Sequence, residues 1–192
     1  GNFFGFDINP GLVKATKMNM VMNNDGAGNI LQNNSLEHPH SWKKEIRDKL
    51  CDSFNLPKDS IRKKEDLALF DFVVTNPPFG TKLPIKSPDI LEQYDLGHIW
   101  EKTDDDSIVR TDRLVTSRAP EVLFIERCYD FLKPNGVMGI VLPDAILGAP
   151  GIDYALIREW IIQKCRIIAS IDLHADTFQP GTGTQTSVLF LQ

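Results

Sequence analysis

Leu69-Phe70-Asp71-Phe72-Val73-Val74-Thr75-Asn76-Pro77-Pro78-Phe79-Gly80 is the stretch around which the rest of the chain is read. An apolar, β-branched run ends abruptly in Asn-Pro-Pro-Phe-Gly. The run predicts a buried strand of a parallel sheet. Pro77 and Pro78 lack a backbone N–H, so the strand must stop there. Asn76 precedes a proline and is pushed toward an extended conformation. The prediction is a stiff loop at the carboxyl end of a strand, where open α/β sheets take ligands.

The loop has specific chemistry. The Asn76 amide oxygen and the Pro77 carbonyl are two acceptors side by side, with no proline N–H to compete. Such a pair suits an exocyclic –NH2 group with its two hydrogens. Phe79 adds a flat face on which a planar ring can stack. An amine conjugated to a ring is a poor nucleophile because its lone pair is delocalised. Two fixed acceptors favour its pyramidal form and aim the lone pair at an electrophile, by positioning and electrostatic preorganisation without a strong base.

Outward from this loop, strands and helices alternate, which predicts an α/β domain with a mostly parallel sheet. Phe3 to Ile8 reads as a short strand ending in an acid, Asp7. Asn9-Pro10 then reads as an N-cap with proline at the first helical position. The helix carries Leu12, Ala15, Met18 and Met22 at helical spacing. Asp7 is placed either to cap this helix or to accept both hydroxyls of a ribose. Asn29 to Gln32 reads as a further short strand, followed by Asn33-Asn34-Ser35-Leu36.

Downstream, Pro120 to Leu132 is an amphipathic helix, stopped by Lys133-Pro134-Asn135-Gly136. Gly136 to Pro143 is the next buried strand. Glu121 reads most plainly as an acid favoured by the positive end of the helix dipole. Asp153 to Lys164 is another helix, and Cys165 to Leu173 a strand. The polar loop Phe178 to Thr186 leads into the last strand, Ser187 to Leu191. Two stretches fit this alternation poorly. Residues 37–68 are polar and lysine-rich, with room for one short helix, and residues 80–118 are long and aperiodic. Both read as insertions.

Composition bounds the rest. At 192 residues the expectation is one domain with a sizeable core. A net charge of −5 argues against a domain that simply coats nucleic acid. No apolar run approaches the roughly 20 residues of a membrane span. Cys51, Cys128 and Cys165 are odd in number and far apart, which predicts free thiols in a reducing cytoplasm. The four histidines show no ligand spacing, so no metal site is expected.

These segments together resemble the amino-methyltransferases that use S-adenosylmethionine to methylate adenine N6. Asn76-Pro77-Pro78-Phe79 is similar to their motif IV, (Asp/Asn/Ser)-Pro-Pro-(Tyr/Phe/Trp). The helix, Leu-Lys-Pro-Asn-Gly, strand and Leu-Pro of residues 120–143 resemble motifs V and VI. The set is most similar to the M (modification) subunit of type I restriction-modification systems. The resemblance implies a three-layer, Rossmann-like fold whose last strand lies antiparallel between its two neighbours. It implies catalytic roles for Asn76, Pro77 and Phe79, and target-base contacts from Pro78 and Phe178, the latter closing on a flipped adenine opposite Phe79 or else packing in the core. It implies cofactor contacts from Asp7 to the ribose, Ile8 to the adenine ring and Asn34, which stands where the family usually has an acid. Lys82, Lys86, Thr182, Thr184 and Gln185 become candidate DNA contacts. DNA, a specificity (S) subunit and a restriction (R) subunit are the implied partners.

The glycine-rich loop of motif I and its strand are not found in these residues. The segment is therefore expected to lie inside a larger protein, and by itself to bind cofactor poorly and to have little activity. Two other readings share the Asn-Pro-Pro-aromatic loop: an N-methyltransferase acting on RNA or on protein glutamine, and a degenerate scaffold for a specificity subunit.

Overall fold

The structure, a computed structural model, describes residues 3–80, 83–103, 108–179 and 183–192. Lys82, Thr182 and the acidic run Asp104-Asp105-Asp106 lie outside the described residues. Where length pointed to one domain, the contacts divide into two compact units, Gly1–Leu67 and Ala68–Gln192.

In the first unit, β1 (Gly5–Asp7) and β2 (Ile30–Gln32) pair in parallel, with Gly5 opposite Ile30 and Asp7 opposite Gln32. Helix α1 (Pro10–Met22) connects them. It starts as expected: the Asn9 side chain accepts from the Gly11 and Leu12 N–H groups at 2.8 and 3.3 Å, and Pro10 needs no such partner. Its apolar side is not in the core, however. Only Val13 is buried, and Leu12, Met18 and Met22 are exposed.

The core of this unit comes largely from the stretch that reads as a polar link. The one helix expected there is α2 (Lys44–Ser53), which buries Ile46, Leu50 and Cys51. Trp42 is also buried, stacked obliquely on Phe6, and its indole N–H donates to the Glu37 carbonyl at 3.2 Å. Charge dominates the composition of this segment, but its apolar residues Trp42, Ile46, Leu50, Ile61 and Leu67 are buried. Burial follows the individual apolar positions and not the mean polarity.

The second unit is a four-stranded sheet in the order β3 (Phe70–Thr75), β6 (Leu132–Pro143), β8 (Thr186–Leu191), β7 (Ile167–Asp172). β3 and β6 are parallel, and β8 runs antiparallel to both β6 and β7. The last strand thus lies between its two neighbours in the opposite direction. Alternate residues Met138, Ile140 and Leu142 of β6 and Leu189 and Leu191 of β8 point into one core. That core is closed by α4 (Pro120–Phe131), with Val122, Ile125 and Cys128, and by α6 (Ile152–Lys164), with Ile157, Trp160 and Ile161.

The turn expected at Lys133–Gly136 sits within β6 itself. There Asn135 is in the left-handed region (φ +65°), and β6 advances from Leu132 to Val137 while β3 advances only from Phe70 to Phe72. β3 also differs from expectation. It is an edge strand of this sheet, and its two-residue alternation sends Val73 toward the core but leaves Phe72 and Val74 75 and 78% exposed. A continuous apolar run looks the same in sequence whether one face or both are covered.

The aperiodic stretch after β3 is not a loose loop where it is described. Ile85 and Arg118 exchange backbone hydrogen bonds at 2.8 and 2.9 Å and close its neck. Between them lie the short helix α3 (Pro88–Leu91) and the antiparallel pair of β4 (His98–Lys102) and β5 (Ile108–Leu114). Helix α4 anchors the segment. The Glu126 carboxylate accepts from the Asp95 and Leu96 N–H groups at 2.9 and 3.1 Å, and the buried Arg127 donates to the Tyr94 hydroxyl at 2.8 Å. Buried charges need such partners, and these fix the loop against the helix.

All three cysteines are buried free thiols. Among the described residues no helix is long and apolar enough to cross a membrane, and no three His, Cys, Asp or Glu side chains are grouped to hold a metal ion.

Candidate functional site

The carboxyl end of β3 carries the Asn76–Gly80 loop. Asn76 is exposed, and its side chain has no hydrogen-bond partner among the described residues. Pro77 is buried, whereas Pro78 is exposed and Phe79 half-buried. Gly80 ends the loop in the left-handed region (φ +89°), which suits a residue without a Cβ. Its N–H donates to Oε1 of Glu121 at 3.0 Å. Glu121 is at the second position of α4 and is only 5% exposed. Reading the sequence made it an acid favoured by the positive end of the helix dipole. The structure makes it the partner of the loop, a role with no local signal because the two residues are 41 apart in the chain.

Phe178 does reach this loop. Its ring meets that of Phe79 edge to face, with centroids 5.5 Å apart and planes at 84°. The two rings are thus in contact and leave no slot between parallel faces. Gln185 uses its backbone carbonyl to accept from the Asp144 N–H at 3.0 Å. Lys86 is exposed.

Sequence reasoning did not single out the neighbouring cluster. The buried Ser187 hydroxyl is 2.8 Å from an oxygen of Asp144, where α5 (Asp144–Gly148) follows β6, and 3.1 Å from one of Asp172, at the end of β7. With one hydrogen, it donates to one carboxylate at a time. The strand ends that carry these groups are contiguous only in the sheet order.

In the first unit the other expected residues gather at the carboxyl ends of β1 and β2. The Asp7 carbonyl accepts from the Asn33 N–H at 3.0 Å, and Oδ1 of Asp7 accepts from the Asn9 N–H at 2.7 Å. Ile8 is 64% exposed beside it. A half-exposed carboxylate with a second oxygen, next to an exposed apolar side chain, fits a ribose diol and the flat ring it carries. Asn34 is turned inward: its side chain accepts from the Leu36 N–H at 3.2 Å and donates to Glu37 at 3.1 Å. Its amide therefore closes its own turn.

Comparison with known proteins gives the family and the fold. The sequence model of the N-6 DNA methylase family matches residues 1–192. The type I restriction enzyme EcoEI methylase subunit of Escherichia coli is 26% identical over 121 residues, which are 62% of this chain and 20% of that one. Among solved structures, the methyltransferase subunit of a type I restriction-modification system from Streptococcus thermophilus shares 23% identity and a TM-score of 0.65, covering 98% of this chain and 33% of that one. The M protein of the type I restriction enzyme EcoKI shares 22% identity and a TM-score of 0.56, over 98% and 30% of the two chains. The fold is thus the α/β, Rossmann-like one of these methyltransferases. This chain spans about a fifth of the curated relative and about a third of the solved ones.

Proposed function

The chain belongs to the N-6 DNA methylase family, and we propose that it carries the target-base part of an enzyme that transfers a methyl group from S-adenosylmethionine to N6 of a flipped adenine in DNA. The observation that carries this reading is the Asn76-Pro77-Pro78-Phe79 loop, held at the carboxyl end of β3 with the Asn76 amide exposed and unengaged.

An adenine stacked in a duplex cannot reach such a loop, so the base must leave the helix. Phe79 takes the ring face, with Phe178 beside it and Pro78 at the loop's outer side. The Asn76 Oδ1 and the Pro77 carbonyl accept from the two N6 hydrogens, which turns the nitrogen lone pair out of conjugation. Asp7 would hold the cofactor's ribose hydroxyls and Ile8 its adenine, while Asn34 shapes the turn that follows β2. S-adenosylmethionine supplies an electrophilic methyl on a sulfonium. Transfer would form the N–C bond as the S–C bond breaks, with Asn76 and Pro77 holding the amine and its surplus proton passing to water. Positioning carries most of this chemistry.

The relatives are named as subunits of type I restriction enzymes, so the partners we propose are DNA, a specificity subunit that reads the sequence and a restriction subunit. Such an enzyme, with reduced buried cysteines, works in the cytoplasm. Activity belongs to the longer protein, and the test is made there. The full-length protein with its specificity subunit is given tritiated S-adenosylmethionine and unmethylated DNA, with Asn76→Ala in parallel. Label on adenine N6 that Asn76→Ala abolishes is the expected result. Transfer that survives the substitution would place the site elsewhere. No transfer at all, with cofactor binding intact, would favour a non-catalytic scaffold.

A further inference from the structure

We infer that Glu121 is a positioning residue, a buried latch that holds the Asn76–Gly80 loop in its amine-binding shape through the Gly80 N–H. The inference rests on the proposed adenine site and adds to it a residue outside the loop.

Three observations carry it. First, the loop has few N–H groups with which to tie itself down. Pro77 and Pro78 have none, and the Gly80 N–H is 3.0 Å from Oε1 of Glu121. Second, Glu121 is 5% exposed, and its other oxygen, Oε2, is buried with no hydrogen-bond partner among the described residues. A buried acid with an unpaired oxygen is unfavourable, and a surface-type helix acid would have no reason to tolerate it. Third, Glu121 is borne on rigid ground. α4 buries Val122, Ile125 and Cys128 in the core it shares with the sheet, and its N-terminal turn has no side-chain cap, so its dipole favours an acid there. The latch therefore ties the loop to a well-packed helix, as an acceptor placed within a few tenths of an ångström requires.

The arrangement also explains Gly80. Its positive φ (+89°) turns the N–H back toward α4, and a built Cβ would meet nothing within 4 Å. Backbone direction, not crowding, is what the glycine supplies.

The test uses the full-length protein and two readouts. One is amide hydrogen exchange over residues 76–80. The other is methyl transfer to unmethylated DNA, with kcat and the KM for cofactor measured separately. Glu121→Gln keeps an acceptor oxygen, whereas Glu121→Ala removes it. The expected result is faster exchange in Glu121→Ala, a kcat lower by roughly ten- to a hundredfold and an unchanged cofactor KM, with both readouts restored in Glu121→Gln. Wild-type exchange in Glu121→Ala overturns the latch. So does a Gln variant as slow as the Ala variant with its loop still protected, because the charge and not the hydrogen bond would then matter. If the wild-type protein transfers no methyl group, the adenine reading fails, while the exchange arm still decides whether Glu121 holds the loop.

Discussion

Phe79 and Phe178 touch edge to face, 99 positions apart in sequence and 5.5 Å between ring centroids. An edge-to-face pair is worth about 0.5–1.5 kcal/mol. Stacking of a base on an aromatic ring is worth about 1–3 kcal/mol, at least as much as the contact between the two rings. Phe79→Ala should lower kcat/KM for unmethylated DNA by roughly ten- to a hundredfold. Phe178→Ala should lower it in the same direction if its ring closes on the base. An unchanged kcat/KM in Phe178→Ala would show that this ring only packs on its neighbour.

Two glycines should respond to alanine for different reasons. At Gly80 the cost is the left-handed backbone alone, roughly 1–2 kcal/mol. At Gly97, in the turn before β4, a built Cβ would stand 2.1 Å from the Leu91 carbonyl oxygen, so the backbone itself must move. Gly97→Ala should therefore lower the denaturation midpoint more than Gly80→Ala. The reverse order in urea titrations would contradict the packing of the segment between β3 and α4.

Alkaline pH should destabilise the second unit. Burial pushes the Cys128 thiol up to about 12 and that of Cys165 up to about 11, from an ordinary value of 9.0. Burial also raises the Tyr94 hydroxyl. Between those limits the folded chain keeps protons that the unfolded chain releases. Their contribution is fully present below pH 9.0 and is lost as pH rises toward 12. A denaturation midpoint that stays level to about pH 9 and then falls is expected, with a shallower fall in Cys128→Ala. Thiol reagents at neutral pH should label neither cysteine until the protein is unfolded.

Local rules carried much of the architecture. The Asn9 cap, the proline that follows it and the strand stop at Pro77 were legible because each depends on neighbours within a few residues. The antiparallel last strand came from likeness to a family, not from periodicity. Local rules failed where order comes from distant partners. Tyr94, Asp95 and Leu96 have no periodic pattern, and it is α4 that organises them, through Glu126 and Arg127. Likewise, apolar periodicity in α1 and β3 marked faces that could be buried, while Leu12, Met18, Phe72 and Val74 remain exposed.

The sequence by itself determined the chemistry available: an amide and a carbonyl acceptor on a loop that prolines stiffen, an aromatic ring beside them, and an acid at the end of the first strand. Covalent structure and nearest-neighbour sterics suffice for these. Only the tertiary structure decided which groups support them. It set Glu121 against the Gly80 N–H, joined Phe178 to Phe79 and turned Asn34 onto its own turn. The first two are contacts between residues far apart in the chain, and no local propensity encodes them. They exist because burying the apolar faces of β6, β8, α4 and α6 in one core brings those backbone segments together.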